Sequence, residues 1–327
     1  MKALVYIGPE GLEYRDMADP VPAEGEALIR VESVGICGSD MHAWLGHDER
    51  RPAPLVLGHE AAGVVLSGTM KGQRVTVNPL VTCGTCPACR SGRDNLCATR
   101  QIISMPPREG AFAGLLAMPE RNLVPLPDHV TTHQAALAEP IACGWHAVRL
   151  GRAILGNGPQ RALVLGGGAI GLGAALSLAA QGISDVTMVE PHATRCAYLS
   201  LRCDQVVIAP DALDPSERFD IIVDGVGFET TRAQASAHAR PGGVIVHIGL
   251  GQSAGGLDIR RMTLQEITFI GTYTYTSQDF RDCAQAMFDG RLGALDWIEE
   301  RPLNDGAAAF ADIRAGRVSS PKIVLVP

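Results

Sequence analysis

Aromatic side chains are scarce in this chain, basic blocks are missing, and no apolar run is long. Each shortage excludes something. Only 5% of the 327 residues are aromatic, so large ring clusters cannot dominate the core. Acidic residues (35) outnumber basic ones (28), giving a net charge of −7 with no run of one sign. That balance argues against nucleic acid and anionic membrane as partners. Apolar segments such as Arg161–Leu165 and Gly243–Ile248 are short and bounded by glycine, far below the roughly 18 residues that span a bilayer. The opening Met1-Lys2-Ala3-Leu4-Val5-Tyr6 lacks the long apolar stretch and small-residue cleavage site of a secretory signal, so a cytoplasmic location is expected. No internal repeat or low-complexity linker is visible.

What is present suits a large folded protein. The chain is 46% hydrophobic and 19% charged, enough for a sizeable core and too apolar for extended disorder. Its length exceeds the usual single domain. Thirty-seven glycines point to tight turns and close backbone approaches. Nine cysteines, an odd number, fit no disulfide framework in a reducing compartment. Cys143, Cys196, Cys203 and Cys283 lie in apolar or helical contexts and read as core residues.

The first third is a series of short β-like runs broken by glycine and proline: Lys2–Ile7, Glu26–Val34, Gly63–Leu66, Arg74–Asn78 and Asn122–Leu126. Strands without intervening helices predict a mainly β, partly antiparallel domain. Near residue 148 the texture changes. Runs at Arg161–Leu165, Asp185–Glu190, Gln205–Ile208, Asp220–Asp224, Gly243–Ile248 and Ile267–Gly271 alternate with helical stretches, among them the nearly all-apolar Ala169–Gln181. Six strands with crossovers predict a doubly wound parallel (Rossmann) sheet. After Thr272 the pattern breaks, and a helical Ser277–Asp289 precedes Leu292–Glu300 and a last strand, Lys322–Val326. The expected domains are 1–147 together with 276–327, and 148–275 for the dinucleotide.

Gly166-Gly167-Gly168-Ala169-Ile170-Gly171 matches GxGxxG between an apolar strand and a helix. Bare backbone there lets a pyrophosphate reach the helix N-terminus, where free amides and the macrodipole favour anions. Glu190 ends the next strand, 19 positions beyond Gly171. A carboxylate at that place accepts from both ribose hydroxyls and repels a 2′-phosphate, which favours NAD. Arg195 and His192 are close enough in sequence to reach a phosphate, so NADP stays open. The plain alternative is a glycine-rich turn with a solvated glutamate.

Cys83, Cys86, Cys89 and Cys97 are separated by two, two and seven residues. Four thiolates can close a tetrahedral zinc shell with no open position, which makes the ion structural. An iron–sulfur cluster is the main rival. A second constellation, Cys37 with His59-Glu60 and the later Glu139, offers a thiolate, an imidazole and two carboxylates. Three protein ligands and one open position describe a catalytic zinc. Singly, each has an ordinary reading: a core cysteine, a hydrogen-bonded turn histidine, a surface acid. Together with the glycine loop and the four-cysteine lobe they favour chemistry.

These motifs, with Gly35-Ile36-Cys37-Gly38-Ser39-Asp40 and Gly58-His59-Glu60 in the same order, resemble the zinc-containing medium-chain alcohol dehydrogenases, and most of all their polyol (sorbitol-type) branch. The likeness runs over essentially the whole chain. It implies a GroES-like catalytic domain, discontinuous in sequence, beside the Rossmann domain. It also implies Cys37 and His59 as zinc ligands, with Glu60 a ligand in the polyol branch and a neighbour of the ion elsewhere. Glu139 takes a place where other branches have a cysteine ligand; in the polyol branch it contacts the zinc-bound water. Asp40 would hold the second ring nitrogen of His59. Two departures stand out: the Val65–Gly72 stretch is shorter than usual, and Thr274 precedes Tyr275 where the polyol branch has arginine.

The chemistry expected is oxidation of a small alcohol or polyol, zinc acidifying the hydroxyl and hydride passing to the nicotinamide. Ser39, two residues from Cys37, would take the hydroxyl proton, and the resemblance continues the relay through the cofactor ribose to His42. Trp44, Phe112 and Tyr275 are candidate walls of a substrate pocket. Cofactors are then NAD and two zinc ions per chain, with homodimers or homotetramers implied by the family. Alternatives are an L-threonine-type or other small-alcohol dehydrogenase, a zinc-free quinone or enoyl reductase, and a non-enzymatic zinc-ribbon and NAD-sensing module.

Overall fold

A computed structural model describes residues 1–156 and 160–327. By packing, the chain divides into two units: Met1–Glu139 with Thr276–Phe288 and Ile298–Pro327, and Pro140–Tyr275 with Asp289–Trp297. The helix Ala138–Leu155 contains position 148, where the sequence texture changes.

In the first unit, strand Lys2–Gly8 pairs antiparallel with Gly11–Asp16 and with Leu55–Val56. The Gly11–Asp16 strand was not expected. It is half exposed, and its single alternation of Leu12 and Tyr14 with Glu13 and Arg15 is too short to read as a strand. A seven-stranded sheet has the path Leu123–Pro125, Arg74–Val77, Glu60–Val65, Glu26–Gly35, Lys322–Val326, Ile298–Pro302, with Leu115–Pro119 also pairing to Glu26–Gly35. Along Glu26–Gly35, Ala27, Ile29 and Val31 point inward while Arg30 faces out, the two-residue period of a half-buried strand. The last strand pairs antiparallel with it, Val324 opposite Gly35 and Leu325 opposite Val34. The core beneath includes Leu4, Ile29, Leu57, Phe112 and Phe310.

The second unit holds a six-stranded sheet in the order Val206–Ile208, Asp185–Val189, Arg161–Leu165, Phe219–Asp224, Ala239–His247, Thr268–Gly271. All five neighbouring pairs are parallel. The doubly wound sheet is therefore present, and each of its six strands overlaps a segment that the sequence marks, Ala239–His247 starting four residues before the expected Gly243–Ile248. Strand order reverses between Arg161–Leu165 and Phe219–Asp224, the switch point at whose carboxyl ends such sheets bind ligands. Phe219–Asp224 is buried throughout, as a central parallel strand covered on both faces must be. Among the described residues, no helix is long and apolar enough to cross a membrane.

Candidate metal centre and cofactor loop

The antiparallel register of two strands builds the open site. Glu26–Gly35 and Glu60–Val65 pair with Gly35 opposite Glu60. One strand therefore ends just before Cys37 where the other begins just after His59. The approach at this crossing requires glycine: a Cβ on Gly35 would lie 1.9 Å from Glu60 Oε2. Cys37 then caps the helix Gly38–Trp44. Ligand atoms of Cys37, His59 and Glu60 all fall within 4.8 Å of one another, close enough to share an ion. The structure groups these three.

Asp40 ties the two ligand-bearing turns together. Its carboxylate is fully buried and accepts from the amides of Cys37 (3.0 Å) and Gly58 (3.2 Å). His59 Nδ1 lies 3.4 Å from Asp40 Oδ1 and 3.4 Å from Ser104 Oγ. A carboxylate can only accept, so it keeps the imidazole proton on Nδ1 and leaves the Nε2 lone pair for a metal. Burial alone would lower the His59 pKa, but Asp40 and Cys37 outweigh it and hold it well above 6.5. Burial would likewise raise Asp40, yet His59 and Arg51 keep it below its ordinary value. A metal ion entering here displaces a proton.

Glu60 supplies the test of fit. It is wholly buried, and its Oε1 accepts from Lys322 Nζ at 2.6 Å. Oε2 has no hydrogen-bond partner. A buried carboxylate oxygen left bare is costly, and a cation among Cys37, His59 and Glu60 would satisfy it. Lys322 also donates to the Ile36 carbonyl at 2.8 Å. Burial disfavours its charge, but Glu60 and Cys37 raise its pKa above the ordinary value, so the ammonium persists. Thiolate, imidazole and carboxylate together suit zinc. Glu139 is buried in the first turn of helix Ala138–Leu155 and lies outside the three-residue cluster, although its charge is felt at Lys322. Ser39 is half-buried and His42 exposed, both on helix Gly38–Trp44.

The four-cysteine lobe is built locally. Cys86 precedes the single turn Pro87–Arg90, Asp94–Leu96 forms a 3-10 turn, and Cys97 follows it. Sγ separations are 3.5 Å for Cys86–Cys89, 3.6 Å for Cys97–Cys83 and 3.9 Å for Cys83–Cys89. A tetrahedron with Zn–S bonds of about 2.3 Å has edges of about 3.8 Å, whereas a disulfide needs about 2.05 Å. The lobe has the dimensions of a zinc site. Amides of Thr85 and Cys86 pull the Cys83 thiol down to about 5, while desolvation and the Cys86 thiol push Cys89 up to about 12.

In the second unit, Gly168 caps the helix Ala169–Ala180. The glycine pattern has a steric cause: a Cβ on Gly171 would sit 1.8 Å from the Gly166 carbonyl oxygen. Gly168, by contrast, faces open space, at the end of the helix where a phosphate would bind, and Ile170 follows in the first turn. Glu190 is buried at the end of its strand and accepts from the amides of Gly167 (2.8 Å) and His192 (2.7 Å). Arg195 Nη1 approaches it to 4.0 Å.

Trp44 and Phe112, expected at a pocket wall, are buried in the core of the first unit, each edge-on to Phe310 with centroids 5.7 and 6.0 Å away. Scarce aromatics are spent here on packing. Tyr275 is buried at the end of the second unit. Sequence reading missed Lys322, Arg51 and Ser104. A lysine opening the apolar run Ile323–Val326 is a signal for the first; nothing local marks the other two.

Comparisons with known proteins bear on both units. Residues 23–128 match the family described as the alcohol dehydrogenase GroES-like domain, and residues 169–289 match the zinc-binding dehydrogenases. The chain is 33% identical over 309 residues to an L-galactonate-5-dehydrogenase of Escherichia coli strain K12, covering 90% of this chain and 89% of that one. Among solved structures it is similar to acetophenone reductase of Geotrichum candidum in complex with NAD, at 26% identity and TM-score 0.87, covering 100% and 97%. A Sinorhizobium meliloti protein described as a zinc-binding dehydrogenase and bound to NADP gives 25% identity and TM-score 0.87, covering 100% and 99%.

Proposed function

Because the chain belongs to the zinc-dependent medium-chain alcohol dehydrogenases, in their polyol dehydrogenase-like branch, we propose that it oxidises a secondary alcohol of a polyol or sugar acid to the ketone with NAD as hydride acceptor. One observation carries this reading: the cluster of Cys37, His59 and Glu60 with a buried carboxylate oxygen left bare. A sugar acid enters because the Escherichia coli relative is named for L-galactonate.

Cys37, His59 and Glu60 would hold the catalytic ion, with Glu139 near enough to act on the same charges. Zinc supplies Lewis acidity, which lets an alcohol hydroxyl ionise near neutral pH. Asp40 fixes the ring and tautomer of His59, and Lys322 fixes one oxygen of Glu60 so that the other faces the thiolate and imidazole. Ser39 accepts the hydroxyl proton, and His42, exposed on the same helix, passes it to solvent. Gly168, Ala169, Ile170 and Gly171 bind the pyrophosphate through the amides at the helix start, and Gly166, whose own amide donates to the Val189 carbonyl, keeps the turn tight. Glu190 selects NAD over NADP, with Arg195 beside it. Cys83, Cys86, Cys89 and Cys97 hold a second, structural zinc. Assembly as a homodimer or homotetramer belongs to the same reading, supported by the open sheet edge at Thr268–Gly271.

The test is an NAD-reduction screen of zinc-loaded protein over sugar acids, polyols, secondary alcohols and L-threonine. Alcohol-dependent NADH formation that chelation abolishes is expected. No NADH from any of them, or full activity after His59→Ala, overturns the proposal.

A further inference from the structure

Arg51 is neither a metal ligand nor part of the cofactor loop, yet it is buried beside the metal cluster with its side chain 2% exposed. Its Nε donates to the Ser104 carbonyl at 3.0 Å. Nη1 donates to the Ser39 carbonyl at 3.2 Å and to Asp48 Oδ2 at 2.8 Å. Nη2 donates to the Ser39 hydroxyl oxygen at 3.4 Å. One rigid cation therefore holds the start of helix Gly38–Trp44 and the Ser104 turn. One of these segments carries Asp40 and the other, from a different part of the chain, brings the Ser104 hydroxyl to His59. Ser104 is a non-glycine residue at φ +67°, and its hydroxyl faces His59 Nδ1. A strained turn of this kind persists only when its surroundings fix it, and Arg51 is one of the groups that does.

The donor inventory gives the contact with Ser39 a direction. A guanidinium has five N–H donors, no acceptor, and does not deprotonate in proteins. Arg51 therefore fills one lone pair of Ser39 Oγ and cannot take the serine proton. What remains on Ser39 is one lone pair to receive and one proton to give away.

We propose that Arg51 is a positioning residue that occupies one lone pair of Ser39 Oγ and so orients the hydroxyl as a proton carrier for the alcohol. The proposal rests on the reading of Ser39 as first proton acceptor. During oxidation the substrate O–H bond breaks and a new O–H bond forms at the free lone pair of Ser39. The original Ser39 O–H bond breaks as its proton moves on toward His42 and solvent. Arg51 stays charged throughout and exchanges nothing. Asp48 keeps a partner if Arg51 is replaced, because Arg50 Nε donates to it at 2.8 Å, so removing the fork does not strand a buried carboxylate.

The experiment is a double-mutant cycle between Arg51→Met and Ser39→Ala on cobalt-loaded, NAD-saturated protein. The probe is 2,2,2-trifluoroethanol, and its Kd is read from the cobalt visible bands; kcat and KM with an alcohol from the screen accompany it. Loss of one oriented hydrogen bond should weaken the probe about three- to tenfold and lower kcat more than it changes KM. In the Ser39→Ala background the Arg51 change should add less than about twofold, because both act through one hydroxyl. Arg51→Lys, which keeps the charge but not the fork, is measured in the same way, so a failure of Arg51→Met to fold leaves the cycle intact. An equal loss in both backgrounds, or unchanged probe affinity in both Arg51 variants, overturns the positioning role while leaving the dehydrogenase reading in place. Wild-type affinity and turnover in Ser39→Ala removes the relay itself, and the inference with it.

Discussion

The two clusters of side chains able to hold a metal ion differ in how they are made. The four-thiol lobe takes all its ligands from Cys83–Cys97, a single loop, and its Sγ spacings already match the edges of a tetrahedron. The cluster of Cys37, His59 and Glu60 takes its ligands from the ends of two neighbouring strands, with Asp40 cross-linking the turns and Lys322 arriving from 262 positions beyond Glu60. The lobe offers four thiols and depends on little beyond its own loop. The second cluster offers three groups and depends on the whole sheet. An open coordination position is useful only if the surrounding scaffold fixes the remaining ligands, which is what the extra buried hydrogen bonds around Asp40 and Glu60 provide.

The sharpest way to break this contrast is to delete ligands one site at a time. His59→Ala should lower turnover by on the order of a thousandfold or more while elemental analysis still finds the lobe zinc. Equal loss of both ions would show that the sites are not independent. Cys97→Ser should do the reverse: one zinc fewer, a melting temperature lower by roughly 5–10 °C, and residual alcohol oxidation by the protein that stays folded. A variant with wild-type stability would deny the lobe its structural role.

Finer changes probe the scaffold. Asp40→Asn should weaken metal affinity at the open site by about 10- to 100-fold and leave the lobe unchanged in a competitive chelator titration. In the second unit, Glu190→Ala should shrink the preference for NADH over NADPH by about tenfold, read as the ratio of kcat/KM values. An unchanged ratio would take Glu190 out of cofactor choice.

The smallest effect expected is on acid stability. Asp224 is buried and accepts from the amides of Val226 and Gly227, with His247 Nδ1 at 3.1 Å. Burial would raise its pKa, but His247 and those amides pull it below 3.8. A lowered folded-state pKa gives stability that is fully present above the ordinary value of 3.8 and is lost as pH falls through the folded value. Asp224→Asn should therefore flatten the stability profile below pH 3.8, measured by denaturant unfolding from neutral pH downward. A profile as steep as the wild type would assign that loss to other carboxylates.

Legibility in the sequence followed the distance between cooperating residues. The six strands of the parallel sheet, the glycine loop and the four-cysteine lobe are local signals, and the structure has the strands, the turn and the thiol cluster where those signals lie. Cys37 and His59-Glu60 were recognisable as a set, but their juxtaposition depends on strand register. Lys322, Arg51 and Ser104 reach the site only through tertiary packing, with no spacing rule to expose them. Trp44 and Phe112 show the converse limit: an aromatic near a candidate site in sequence can fill the core with its ring. The strand Gly11–Asp16 escaped because its alternation spans only Leu12 and Tyr14, and pairing with Lys2–Gly8 is what makes it a strand.

The pairing of Lys322–Val326 with the Glu26–Gly35 strand has a consequence for biosynthesis. A growing chain can close its sulfur cage as soon as Cys97 has emerged, but the carboxylate of Glu60 waits for its ammonium partner until residue 322 has been made. During most of translation the nascent chain has all four thiols of the lobe but lacks the strand that completes the sheet beside Cys37, His59 and Glu60.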